Sequence, residues 1–176
     1  MLADRTPTLG ASRLVAVDGP AGSGKTTLAT ELGALLASAG SEPPVLHMDD
    51  LYEGWGGLDD SLERRLVAQV LAPLAQGRAA EWQRYDWHRE QFAEWHDLAP
   101  PEVLILEGCG AGARAYAAYT TLLVWVEADR AKRMARGIAR DGEQMRHHWM
   151  RWMRSEADHF ATNYTKARSD IAIRTS

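Results

Sequence analysis

The chain has a single cysteine, Cys109, so no internal disulfide can form, and nowhere do cysteine and histidine take the spacing of a zinc site. That usage points to a reducing compartment. Basic residues are the minority: 20 Lys and Arg against 24 Asp and Glu give a formal net charge of -4. Non-specific nucleic-acid binding rests on neutralising phosphates with a positive field, so no nucleic-acid partner is expected. No uninterrupted apolar run approaches the roughly 18 residues needed to cross a bilayer. Met1 to Ser12 holds no apolar core of signal-peptide length. The expectation is a soluble, cytoplasmic protein with no membrane partner. Internal repeats and low-complexity tracts are also absent. What remains, 176 residues with 45% hydrophobic content, is enough for one domain with a sizeable core. The expected organisation is a single domain over 1–176, with 1–12 flexible and oligomeric state open.

One segment does carry a specific signal. Gly19-Pro20-Ala21-Gly22-Ser23-Gly24-Lys25-Thr26 fits the phosphate-binding pattern G-x-x-x-x-G-K-[ST], followed by Thr27. Gly19, Gly22 and Gly24 lack a Cβ, so the backbone can turn successive N–H groups toward a phosphate chain. The helix that follows adds its unpaired N–H groups and the positive end of its dipole. Lys25 supplies a mobile charge for the β- and γ-phosphates, the Thr26 hydroxyl a ligand for Mg2+, and Thr27 a contact to the α-phosphate. The cofactors implied are ATP and Mg2+. The N-K-x-D element of guanine readers is not present.

The context of the loop is as its chemistry requires. Leu14-Val15-Ala16-Val17 reads as a buried strand, and Thr27 to Ala39 as a helix with Leu28, Leu32, Leu35 and Leu36 on one face. A turn through Ser41-Glu42-Pro43-Pro44 leads to a second strand, Val45 to Met48, ending at Asp49-Asp50. Ser61 is placed to cap a helix through Leu74 that Pro73 is expected to distort or end. Glu81 to Pro101 reads as irregular and aromatic. Val103 to Leu106 is the best central strand, Ala111 to Tyr119 a short helix, and Leu122 to Val126 a fourth strand. Asp129 is a candidate cap for a helix through Arg140, Gly142 a break before a long helix to Asn163, and Ile171 to Ile173 a last strand. Alternating strands and helices imply an α/β fold of three layers, a five-stranded parallel sheet flanked by helices.

Ligands of such sheets bind beyond the carboxyl ends of the strands. Asp49 and Glu107 both follow apolar strands and are expected at the same edge as the glycine loop. An acceptor hydroxyl needs orientation and a place for its proton, which is assigned to Asp49. Magnesium needs oxygen donors, assigned to Thr26 and Glu107. Asp18 and Asp50 are read as structural.

Taken in order, the glycine loop, Asp49-Asp50-Leu51-Tyr52, Tyr85-Asp86-Trp87 and Glu107-Gly108 resemble motifs of the uridine kinase and phosphoribulokinase branch of P-loop kinases. Those motifs are D-x-[FY]-Y, Y-D-F and E-G, and a weaker match runs from Val126-Glu127-Ala128-Asp129 to Arg140-Asp141. The resemblance covers residues 14 to 141. It implies a three-layer P-loop NTPase fold and transfer of the γ-phosphoryl of ATP to a nucleoside-like or other small hydroxylated acceptor. It further implies Asp49 as base, Tyr52 and Tyr85 near the acceptor, Trp87 as the ring that stacks on it, and Arg140 as a lid arginine acting with Lys25. The family's R-G-R stretch after R-D is missing, so 141–163 is read as a reduced lid and long helix. The interval from Tyr52 to Tyr85 is short for the family's acceptor hairpin, which counts against uridine or cytidine.

Two alternatives stand beside this reading: a cytidylate-like nucleoside monophosphate kinase, and a non-kinase nucleotide-binding regulator or ATPase. A monophosphate acceptor calls for clustered arginines, which Arg64, Arg65, Arg84 and Arg89 would supply; Arg89 is counted among the acceptor-binding residues. In the last helix Met145, Trp149, Trp152 and Met153 form an apolar stripe for packing, and the adjacent His147 and His148 are expected to diverge.

Overall fold

The computed structural model describes residues 2–38, 40 and 43–176. The helix end expected at Ala39 and the turn at Ser41 and Glu42 lie outside the described residues. The strands are β1 (Arg13–Asp18), β2 (Val45–His47), β3 (Ala80–Asp86), β4 (Gln91–Leu98), β5 (Val103–Glu107), β6 (Leu122–Glu127) and β7 (Ile171–Arg174). The helices are α1 (Lys25–Ser38), α2 (Asp60–Leu66), α3 (Ala72–Ala75), α4 (Arg130–Asp141), α5 (Arg146–Asn163) and α6 (Thr165–Arg168). Five strands pair in parallel in the order β2-β5-β1-β6-β7, while β3 and β4 form a separate antiparallel hairpin. Among the described residues no helix is long and apolar enough to cross a membrane.

The sheet is apolar on both faces because its central strands carry hydrophobic residues at consecutive positions. Leu14, Ala16, Leu104, Leu106 and Leu123 face one core, shared with Leu62, Leu66, Leu71 and Trp152 from the helices. Val15, Val17, Ile105, Val124 and Val126 face the other, which Leu28, Leu32 and Leu36 of α1 cover. Each fully buried aliphatic side chain contributes about 1.5–3 kcal/mol of transfer free energy, so these two interfaces fix the three layers. Leu35, placed on the same stripe by spacing, instead points to solvent and is 67% exposed.

Strand register brings the site together. Glu107 stands opposite Val17 on one side and His47 on the other, so the carboxyl ends of β1, β5 and β2 lie abreast. The N-terminal segment is pinned at the opposite edge, beside the residues that lead into β6 and β7. Leu9 is fully buried, and Arg5 donates to the Thr121 carbonyl and to Asp170, both at 2.9 Å.

Several local expectations are corrected. Residues 80–98 form a hairpin, with Ala80 opposite Leu98 and Asp86 opposite Gln91, rather than an irregular stretch. A hairpin therefore does stand between Tyr52 and β5. The cap of α2 is Asp59, whose carboxylate accepts from the Ser61 and Leu62 amides, so Ser61 is already helical. Pro73 has no N–H and its ring crowds the carbonyl four residues back. The chain relieves this with a π-helical turn over Val67–Leu71, in which the Ala72 amide reaches Val67. Ala111 to Tyr119 contains only a 3-10 turn, Arg114–Tyr116. Asp129 makes no side-chain cap bond and pairs with Arg174 instead. His147 and His148 do not diverge: their rings lie 3.8 Å apart.

Helices α4 and α5 meet where Gly137 faces the Trp149 ring, and a Cβ on Gly137 would clash with that ring. Gly137→Ala is expected to destabilise the protein by about 1–3 kcal/mol through overpacking, since the Trp149 ring is 2% exposed and its Nε1 is held by Asp141. Urea unfolding of the two proteins measures this directly.

Candidate active site

The glycine loop closes between β1 and α1 as the motif requires. Gly19 has φ 144° and its α-carbon abuts the Val126 carbonyl, leaving no room for a side chain. Two buried carboxylates hold the loop from behind. Asp18, fully buried, accepts the Gly19 amide at 2.6 Å and the Gly110 amide at 2.9 Å through one oxygen, and the Gly112 amide at 2.8 Å through the other. Asp18 thus ties the phosphate loop to the chain leaving β5, the structural role expected of it. Burial pushes its carboxyl up to about 6, against the opposing pull of those amides and Lys25.

Glu156 is the second clamp. This α5 carboxylate is 1% exposed; one oxygen accepts the Ala21 amide at 2.8 Å and the other pairs with Arg133 of α4 at 2.7 Å. Arg133 also donates to the Ala21 carbonyl, and Arg136, one turn on, donates to that of Gly22 at 3.0 Å. Helices α4 and α5, both distant from the loop in sequence, therefore grip it at Ala21 and Gly22.

Lys25 is buried, with Nζ 3.2 Å from the Pro20 carbonyl and 3.6 Å from Cys109 Sγ. Burial opposes its charge, but Cys109, Glu107, Asp18 and Glu156 around it outweigh that, and its pKa moves upward. Lys25 therefore stays an ammonium. The Thr26 hydroxyl donates to Glu107, 3.1 Å from each carboxylate oxygen, and His47 Nδ1 lies 3.7 Å from the same group.

These groups open on one cavity of about 890 Å³. Lys25, Thr26, Thr27, Asp49, Glu107 and Arg140 all line it, as do Ala21, Gly22 and Gly24 of the loop and the rings of Tyr85 and Trp87. Gly19, Pro20 and Ser23 are buried behind the loop surface. Asp49 is open to solvent yet sits deep between the walls of the cleft. Burial by those walls raises its pKa, while Lys25 and Arg140 pull it down. Arg140 is half engaged: one edge, Nε and Nη2, donates to the two Asp141 oxygens, and its guanidinium lies 5.7 Å from the Trp149 ring.

Two acceptor candidates are placed differently from the rest. Tyr52 belongs to the floor, 1% exposed, with its hydroxyl donating to the Cys109 carbonyl at 2.7 Å, so it has no free donor for an acceptor. Arg89 stands exposed on the hairpin turn and does not line the cavity. The other arginines named for a monophosphate are also outside it. Arg65 bonds the Leu51 carbonyl and lies over Phe92, and Arg84 is held by Glu94.

Sequence reasoning missed Glu156, Arg136, Cys109, Glu90 and His148, all in or against the cavity. Only Glu156 had a local signal. It continues the buried stripe of Trp149, Trp152 and Met153 at helical spacing, where a carboxylate needs a buried partner.

No protein-family model matches the chain, and no curated protein matches its sequence. Solved structures do match in shape. A protein from Bacillus stearothermophilus described as a possible uridine kinase superposes with a TM-score of 0.69 at 18% identity, over 92% of this chain and 88% of that one. A protein from Silicibacter sp. TM1040 assigned as a fructose transport system kinase gives 0.65 at 21%, over 92% and 89%. The YGR205w protein gives 0.60 at 12%, over 93% and 86%. The chain has the P-loop kinase fold.

Within this P-loop kinase fold, the donor set suits Mg2+. Thr26 and Glu107 offer hard oxygen atoms side by side, and magnesium takes few protein ligands, filling the rest of its shell with water and phosphate oxygens.

The clamp role of Glu156 has a direct consequence. Glu156→Gln leaves Arg133 as a buried cation without its counter-charge, and should cost about 3 kcal/mol or more in unfolding free energy. Amide exchange at Ala21 and Gly22 should also speed up relative to the rest of the chain. Urea titration and hydrogen exchange by mass spectrometry measure the two effects.

Proposed function

We propose that the protein is an ATP-dependent, magnesium-requiring phosphotransferase that acts on a small hydroxyl-bearing acceptor. The observation that carries this reading is that Lys25, Thr26, Glu107 and Asp49 line one cavity at the ends of adjacent parallel strands. A phosphoryl transfer needs little covalent chemistry from the protein; it needs position and charge.

Each residue has a task suited to its surroundings. The loop amides and Lys25 hold the triphosphate, and the Lys25 ammonium, kept charged by its acidic neighbours, offsets the negative charge at the transferring group. Thr26 and Glu107 hold magnesium, which when bound screens the phosphate oxygens. Asp49 orients the acceptor hydroxyl and takes its proton. The acceptor oxygen bonds to the γ-phosphorus as the bond to the bridging oxygen breaks, and ADP leaves with that electron pair. Arg140, on the last turn of α4, is poised at the mouth of the cleft over the donor. The connection from α4 to α5 is short, Gly142 and the turn Glu143–Met145, so closure here rests on side chains more than on a long lid.

The placement of the arginines favours an alcohol over a monophosphate as acceptor. Of those suggested by sequence for a second phosphate, none lines the cavity. A monophosphate there would meet Asp49 and Asp50 instead.

The test is a screen of alcohols, nucleosides and nucleotides with labelled ATP, run on the wild type and on Asp49→Asn. Asn cannot take the proton, so transfer should fall roughly 100-fold or more while ATP affinity stays nearly unchanged. Wild-type kcat/KM should also decline as pH falls through the raised Asp49 pKa, placing the acid limb above the usual 3.8. Equal transfer by both proteins would remove Asp49 from the reaction.

A further inference from the structure

The acceptor end of the cavity has walls that select a class of molecule; this step rests on the phosphotransfer reading above. Its rings meet edge to face. Trp55 and Trp87 are 5.7 Å apart at 75°, Tyr85 and Trp87 5.7 Å apart at 88°, and His148 stacks on Trp55 at 5.1 Å. Perpendicular faces make a corner, whereas a single flat base calls for a slot. Trp87 Nε1 donates to the Asp49 carbonyl at 2.8 Å, which fixes the indole and leaves its ring face, not its donor, for a ligand. Among the described residues the lining includes no Asn or Gln to read the edge of a base.

The corner is acidic on its acceptor side, while Lys25 and Arg140 act on Asp49 from the donor side. Asp49, Asp50 and Glu90 line the corner. Glu90 sits at the hairpin tip with φ 52°, a left-handed backbone that non-glycine residues rarely adopt. Its carboxylate is close enough to influence both Tyr85 and His148, so it stands beside the ring wall. Lys25, Arg136 and Arg140 are the Lys and Arg residues of the lining: the phosphotransfer reading gives Lys25 and Arg140 to the ATP phosphates, and Arg136 donates to the Gly22 carbonyl of the phosphate loop. Burial holds His148 below its usual pKa, which keeps that ring neutral near pH 7.

We propose that the acceptor is a cationic alcohol, an amino alcohol or its N-alkylated form. Its ammonium head lies in the corner of Trp55 and Trp87, balanced by Asp50 and Glu90, and its hydroxyl reaches Asp49. Ring faces attract a cation through their quadrupole, and quaternary ammonium groups are bound by aromatic corners of this kind. A phosphate or carboxylate would face three acidic side chains, with the Lys and Arg of the lining taken by the ATP phosphates and the loop.

The test compares molecules of the same shape and different charge. Isothermal titration with choline and with 3,3-dimethylbutan-1-ol, its uncharged carbon isostere, is run beside uridine and UMP, and MgATP affinity is measured on each protein. Choline should bind roughly tenfold or more tightly than the isostere, uridine or UMP. Trp55→Leu and Glu90→Gln should each weaken choline about fivefold and leave MgATP affinity unchanged. Glu90→Gln, on an exposed turn, remains informative if Trp55→Leu fails to fold. Equal response to choline and its isostere, or tighter binding of uridine or UMP, overturns the inference while intact ATP binding leaves the kinase reading standing. Absence of ATP binding overturns the kinase reading itself, and with it the assignment of this corner to an acceptor.

Discussion

A buried ammonium governs the architecture of this site. Lys25 lies inside the protein, and a lone charge there would be expelled or neutralised. It stays charged because β1, β5 and α5 deliver Asp18, Glu107 and Glu156 around it. Those three carboxylates need donors of their own. They find them in the amides of Gly19, Ala21, Gly110 and Gly112, the Thr26 hydroxyl and Arg133. Satisfying one cation thus shapes the phosphate loop, fixes the chain after β5 and draws α4 and α5 onto the same point.

The carboxylates divide the work by depth. Asp18 and Glu156 are sealed and bind backbone, so they set the shape of the loop. Glu107 stands at the strand end with one hydroxyl partner and an outlook on the cavity. Asp49 is the outermost, with no side-chain hydrogen bond to hold it among the described residues, between Lys25 and Arg140. Rigidity behind and freedom in front is the arrangement expected where binding is preorganised and a proton must move.

Much of this was legible in the chain because it is local. The phosphate loop is nine consecutive residues, Gly19 to Thr27, between a strand and a helix. Asp49 and Glu107 sit just past apolar strands, and parallel pairing carries such ends to one edge. The hairpin was hidden because both its faces are partly wet and its rings interleave with charges, so no alternation marks β3 and β4. Glu156 lies 135 residues from the amide it binds, and nothing at either end announces the partner. Tyr52 and Arg89 fall in different places. Packing against Trp152 sets Tyr52 into the cavity floor, and the hairpin turn carries Arg89 outward.

The central claim is that the loop and Lys25 together form an anion cradle. Titration of MgATP into the wild type and into Lys25→Met, a substitution that keeps the side-chain stem and removes the charge, tests it most directly. The account predicts saturable binding by the wild type and a loss of roughly 100-fold or more in the variant with the fold retained. Equal affinity in the two proteins, or no binding of MgATP by the wild type, would contradict it.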